Sequence, residues 1–126
     1  MNQKKPLILL DPYPRTMDLL FSKENLKYLK KNFKLITAPN ENKHNFYEKY
    51  LPKVDYIFGQ PNLPSSLISK STKLKAIFNV ESNFMDNMDY DYCFRKGIHV
   101  LATSPVFAQP VAEMAMGLTL SIARSI

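Results

Sequence analysis

The chain has 126 residues, 45% of them hydrophobic, which is material for one domain with one core and not comfortably for two. An aromatic content of 12%, a charged content of 22% and the lack of any long biased tract exclude a disordered or fibrous chain. Lys and Arg number 17 against 11 Asp and Glu, a formal charge of +6, and the cations, mostly Lys scattered from Lys4 to Lys96, read as a solvated surface. A nucleic-acid binder would cluster them along one track. The densest stretch, Lys23 to Lys34, reads as a helix face and not as a phosphate-binding one. The single cysteine, Cys93, excludes an internal disulfide and a Cys-rich metal cluster and fits a reducing compartment, so the expected location is cytoplasmic.

In chain order, Pro6 to Leu10 is an apolar run that stops at Asp11 to Pro14, as a buried strand does on emerging into a loop. Met1 to Lys5 is basic, but the apolar run after it is too short for a signal-peptide core. Ser22 can cap a helix through Leu26, Leu29 and Phe33 with Lys on its other face. Lys34 to Ala38 is a second strand. Pro39 to Lys43 is loop, Phe46, Tyr47 and Tyr50 mark a short amphipathic helix, and Asp55 to Gly59 is a third strand. Leu63 to Ser71 holds one helical turn. Leu74 to Phe78 is a fourth strand, Asn79 to Asn87 a loop, and Asp89 caps a helix closing at Gly97. Ile98 to Leu101 is a fifth strand.

The alternation of strand and helix predicts an α/β fold, a flavodoxin-like parallel sheet with helices on both faces. In such sheets ligands gather at the carboxyl ends of the strands, so the loops at residues 11–15, 59–62, 81–86 and 103–109 are expected to share one edge. Pro110 suits the first turn of a last helix, which from Val111 to Ile126 is apolar on nearly every face. Glu113, Ser121 and Arg124 interrupt it, short of the ~20 apolar residues of a membrane span, so it reads as a buried soluble helix. Cover on both sides would have to come partly from residues downstream. The expected division is 1–104 as a flavodoxin-like domain and 105–126 as a helix leading to a further domain.

No GxGxxG, P-loop, HExxH or GxSxG stands in the sequence, and there are three Gly in all, so the chain cannot cradle a pyrophosphate by itself. His44 in a polar loop and His99 at a strand start have no motif partner and read as structural or exposed. Cys93 beside Phe94 on a helix reads as a core thiol. Asp86, Asp89 and Asp91 lack the Gly and terminal Glu of a calcium loop, so no metal site is expected and capping accounts for Asp89.

Two blocks resemble the D-2-hydroxyacid dehydrogenase family. One is Leu74 to Ile77, Asp86 to Asp89, Arg95 to Ile98 and Val100; the other is Thr103 to Val106, Val111 to Glu113, Met116 to Leu118 and Ala123–Arg124. Their order and spacing match the end of the family's substrate domain and the long helix that crosses to its cofactor domain, whereas Met1 to Lys73 matches only in rhythm. The resemblance implies a two-domain enzyme moving a hydride between NAD or NADP and the carbonyl of a 2-oxo acid, often a homodimer, with no nucleic-acid or membrane partner. The family's catalytic Arg, Glu and His lie beyond Ile126, so the resemblance places no catalytic residue here, and this chain alone is expected to be inactive.

What the resemblance does place here is one wall of the cleft. Backbone N–H groups of the loop after the fourth strand, at Ser82, Asn83 and Phe84, would hydrogen-bond the substrate carboxylate. Many members carry two glycines where this chain has Glu81 and Asn83. Asn tolerates positive φ; Glu81 would repel a carboxylate unless it points away, pairs with Lys or Arg, or marks a different substrate. Phe107 stands near a polar Asn of formate-using members, which disfavours formate. Val111 matches the residue that packs on the nicotinamide, the one cofactor-binding candidate. The alternative is a stand-alone flavodoxin-like binding or signalling module. A receiver domain would need an Asp after the third strand, where this chain has Phe58 to Pro61.

Overall fold

The computed structural model describes residues 5–81 and 83–125. Five strands alternate with helices: β1 (Leu7–Asp11), α1 (Met17–Leu20), α2 (Lys23–Asn32), β2 (Lys34–Thr37), α3 (Lys43–Tyr50), a 3-10 turn (Leu51–Lys53), β3 (Tyr56–Gly59), α4 (Ser65–Ile68), β4 (Ala76–Phe78), α5 (Tyr90–Arg95), β5 (His99–Leu101) and α6 (Ser104–Arg124). The strands form one parallel sheet in the order β2-β1-β3-β4-β5. This is the flavodoxin-like order expected from the alternation of elements.

The register aligns one apolar row across the whole sheet: Ile36, Leu9, Ile57, Ile77 and Val100 are successive neighbours. Leu9, Ile57 and Ile77 are fully buried against Leu51, Val54, Leu63, Ile68 and Cys93. Each such side chain contributes about 2 kcal/mol relative to leaving it in water. Side chains alternate along a strand, so the flanking rows face the other side. There Phe58 and Phe78 stack at 4.5 Å, and Phe21 meets Phe58 edge-on at 5.7 Å. Cover on this side thins toward β5, where Leu101 is 47% exposed.

Local chemistry sets the helix ends. Ser22 Oγ accepts the Asn25 N–H at 3.1 Å and Asp89 Oδ1 accepts the Tyr92 N–H at 2.8 Å, the two N-caps expected from sequence. At the end of α5, Gly97 at φ +71° allows its own N–H to reach Phe94 O and that of Ile98 to reach Cys93 O, a paired C-terminal cap. Cys93 is buried, and burial pushes its thiol up, as befits a core side chain.

The last helix departs from expectation in two ways. It begins at Ser104, not at Pro110, so residues 104–109 are helical and Pro110 lies inside. Pro105 occupies the first turn, where no N–H is needed, and Pro110 removes one intrahelical bond that solvent can replace on an exposed helix. It is also not buried: residues 103–125 are exposed apart from half-buried Ser121, and Val106, Met114 and Ile122 stand 69–80% exposed. No residue of α6 is buried because no described element lies against its length. By length and composition alone, Ser104–Arg124 is long and apolar enough to cross a membrane.

Candidate functional site

A parallel sheet puts every strand's carboxyl end at one edge, and three of the four expected loops meet there. The loop after β1 turns at Pro12, whose carbonyl accepts the Arg15 N–H at 2.7 Å, and contains a cis Tyr13–Pro14 peptide. The chain after β3 supplies Gln60, and the chain after β4 supplies residues 79–88. The fourth, residues 103–109, belongs to exposed α6 except for Thr103.

The β1 and β4 loops are joined by an ion pair. Arg15 Nε stands 3.0 Å from Glu81 Oε1 and Nη2 stands 3.3 Å from Oε2, a two-pronged contact. The hydrogen bond from Arg15 holds the Glu81 carboxyl below the usual carboxylate range. Of the three fates open to Glu81 in the sequence, the structure takes the pairing with Arg.

Amides extend the junction. The Glu81 N–H donates to Gln60 Oε1 at 3.4 Å, Gln60 Nε2 donates to Asn87 Oδ1 at 3.3 Å, and Asn87 Nδ2 donates to the Pro61 carbonyl at 2.7 Å. The Tyr90 hydroxyl lies 2.5 Å from Met85 O and 2.9 Å from Asn87 Oδ1, and burial pushes its phenol up. A short parallel bridge between Leu63 and Met88 closes the far end of the loop. Together these elements bound an open cleft of about 750 Å³, lined by Tyr13, Arg15, Leu19, Gln60, Glu81 and Met85 among others.

Beyond Tyr13 and Gln60 a second cleft of about 360 Å³ has a buried carboxylate beside it. Asp11, at the end of β1, is 3% exposed; Lys43 Nζ lies 2.7 Å from its Oδ1, and the Tyr47 hydroxyl donates to its Oδ2. Lys43 also sits 5.3 Å from the Tyr13 ring. Both donors come from α3, so this cluster fixes the start of the loop that carries Arg15.

The residues singled out in sequence fare differently. Ser82 lies outside the described residues. Asn83 is exposed, and Phe84, 57% exposed, packs edge-on against Tyr90 at 5.3 Å, so the β4 loop is anchored beside the cleft. Val111 is 63% exposed on α6, apart from this constellation. Arg15, Gln60, Asn87 and Tyr90 went unmarked. Arg15 carried a signal, as the one cation in residues 11–15 of the expected edge.

A dinucleotide does not fit these residues. Gly59 is packed against β1, Gly97 ends α5 and Gly117 stands in open space within α6, so the described glycines make no phosphate-cradling turn. Among the described residues no three His, Cys, Asp or Glu groups gather as a metal site.

No protein-family model and no curated protein matches the chain. Solved structures do. Over 96% of its length the chain is 40% identical to a phosphoglycerate oxidoreductase from Rhizobium etli, with a TM-score of 0.78, covering 37% of that chain. A 2-hydroxyacid dehydrogenase from Ketogulonicigenium vulgare Y25 matches 94% of this chain at 21% identity and TM-score 0.64, with 36% of its own length covered. An Aquifex aeolicus D-lactate dehydrogenase complexed with NAD and lactic acid matches 90% at 22% identity and TM-score 0.50, with 33% covered. The chain thus spans just over a third of the first structures it matches, and the resemblance to 2-hydroxyacid and phosphoglycerate dehydrogenases, first read in residues 74–124, runs along nearly all of it.

Proposed function

We propose that this chain, similar along nearly its whole length to 2-hydroxyacid and phosphoglycerate dehydrogenases, supplies the substrate-side wall of an NAD(P)-dependent oxidoreductase cleft acting on 2-hydroxy acids and their 2-oxo partners. In this reading residues 1–104 are the substrate-binding domain and 105–126 the helix leading to a dinucleotide-binding domain. NAD or NADP is held by residues outside this chain, with Val111 its one contact from here. The working form is a cytoplasmic homodimer with no nucleic-acid or membrane partner.

The observation that carries the reading is the Arg15–Glu81 pair. A carboxylate at position 81 would oppose an anion on the neighbouring N–H groups of Ser82, Asn83 and Phe84; paired with a guanidinium, it leaves the loop close to neutral. Gln60 and Asn87 tie the loop on either side of these residues, through the Glu81 N–H and the Pro61 carbonyl. No catalytic acid or base is assigned here, and by itself the chain should oxidise no NADH.

The test is a titration of the purified, isotope-labelled chain with pyruvate, followed by backbone amide resonances. The Asn83 and Phe84 amides should move, and Arg15→Gln should weaken the response severalfold by leaving Glu81 unpaired. A loop that does not respond to pyruvate, glyoxylate or lactate sinks the reading.

A further inference from the structure

The opposite edge of the sheet carries a feature that linear sequence hides. Because all strands run parallel, their amino ends lie together, and nearly every strand is entered through a lysine: Lys5 before β1, Lys34 at the start of β2, Lys53 before β3, Lys73 and Lys75 before β4. Backbone hydrogen bonds hold these entries level, from Lys34 N–H to Pro6 O, Asp55 N–H to Leu7 O and Lys75 N–H to Asp55 O, all at 2.9 Å. The five lysines, all exposed, surround one cleft of about 770 Å³. Asp55 is the single acid there, and its Oδ2 already accepts the Leu7 N–H at 2.9 Å. None of the five makes an ion pair among the described residues.

We infer that this amino-edge cleft binds a compact polyphosphate, inorganic or borne on a nucleoside. Five like charges around one concavity repel one another, and a multiply charged anion relieves several repulsions at once, which a single carboxylate cannot. The volume suits a small ligand, and half-buried Phe33 gives the cleft an apolar wall. Nucleic acid is the weaker fit, since the cations ring a hollow and do not follow a track. The site is independent of the substrate loops, which lie at the other end of the strands.

A competing account is that these lysines only offset the negative C-terminal ends of helices that finish at this edge. The two accounts predict opposite signs. Thermal unfolding of the purified chain should be measured with tripolyphosphate, ATP, orthophosphate and a DNA duplex at matched ionic strength. Tripolyphosphate should raise the midpoint by about 4 °C, with orthophosphate giving almost none of it; a larger rise with ATP identifies a nucleoside-borne source, an equal rise an inorganic one. Lys34→Gln with Lys75→Gln should abolish the rise without lowering the anion-free midpoint, while Lys23→Gln with Lys27→Gln, the same charge loss on α2, should keep it. Phosphorus NMR line broadening of tripolyphosphate, lost in the first pair only, reads binding without reference to stability. The inference is overturned if orthophosphate matches tripolyphosphate, if the duplex outcompetes it, or if the Lys34/Lys75 variant loses stability yet keeps the rise.

Discussion

Gly59 lies against Asp11 so closely that a Cβ on it would stand 2.1 Å from the Asp11 carbonyl oxygen. The two are register partners of β3 and β1, and Gly59 also sits at φ +148°, where side chains are strained. The contact is with backbone, so no rotamer change relieves it. Gly59→Ala is expected to cost about 3 kcal/mol or more, read as a fall in urea midpoint. Because Gln60 follows directly, the Glu81 amide should shift in the same variant. An alanine variant of native stability would contradict this contact.

The Asp11–Tyr47 bond gives a second expectation. Tyr47→Phe leaves one buried carboxylate oxygen without its donor, a loss of about 2 kcal/mol. Burial, followed by the bond to Asp11, also drives the Tyr47 phenol far above its ordinary 10.0. A group raised on folding lends stability that is complete below the unfolded pKa and drains above it. Alkaline destabilisation should therefore begin as pH passes about 10 and be weaker in Tyr47→Phe. Ultraviolet titration of the folded chain should lose no phenolate signal in that variant.

Acid acts through one exposed and two half-buried carboxyls. Hydrogen bonds from Lys70, Arg15 and the Ser65 hydroxyl, respectively, hold Glu48, Glu81 and Asp89 below their usual values. Each releases its proton more readily folded than unfolded, so its contribution is complete above 4.5 for the two glutamates and 3.8 for Asp89, and is lost as pH falls through the folded values. Stability measured in urea should decline between roughly pH 5 and pH 3, and Glu81→Gln should flatten that decline. High salt should flatten the Glu48 and Glu81 parts of it as well, since those two are ion pairs open to solvent.

The exposed length of α6 predicts concentration-dependent association of the purified chain. Val111, Met114, Leu118 and Ile122 follow one another at helical spacing, each 59–80% exposed. Leu118→Glu with Ile122→Glu should shift sedimentation toward monomer and leave the amide spectrum of residues 7–101 unchanged. Flotation with uncharged lipid vesicles that those glutamates abolish would instead assign the helix to a bilayer.

The strands were legible because a sheet covered on both sides needs continuous apolar runs. Residues 34–38, 55–59, 74–78 and 98–101 each contain the observed strand, and 6–10 covers β1 except for its last residue, Asp11. Ser22 and Asp89 were legible because capping is a matter of three or four neighbouring residues. The Arg15–Glu81 pair joins positions 66 apart, and the Asp11–Tyr47 bond positions 36 apart. Such pairs depend on strand order, to which local periodicity is blind. The start of α6 was misplaced for a different reason: two prolines compete for a first turn, and the exposed helix tolerates the second inside it.

The β4 loop is tied down at both ends, by the Asn79 N–H on Leu101 O and by the Asn87–Leu63–Met88 bridge. Closing a chain segment carries an entropic cost that grows with the number of residues free to move, and here folding itself has already met it. In the proposed reading, a ligand at this loop would restrain only backbone torsions between the two ties, about 1–2 kcal/mol for each residue it newly fixes. A few hydrogen bonds of about 0.5–1.5 kcal/mol each would offset a restraint of that size.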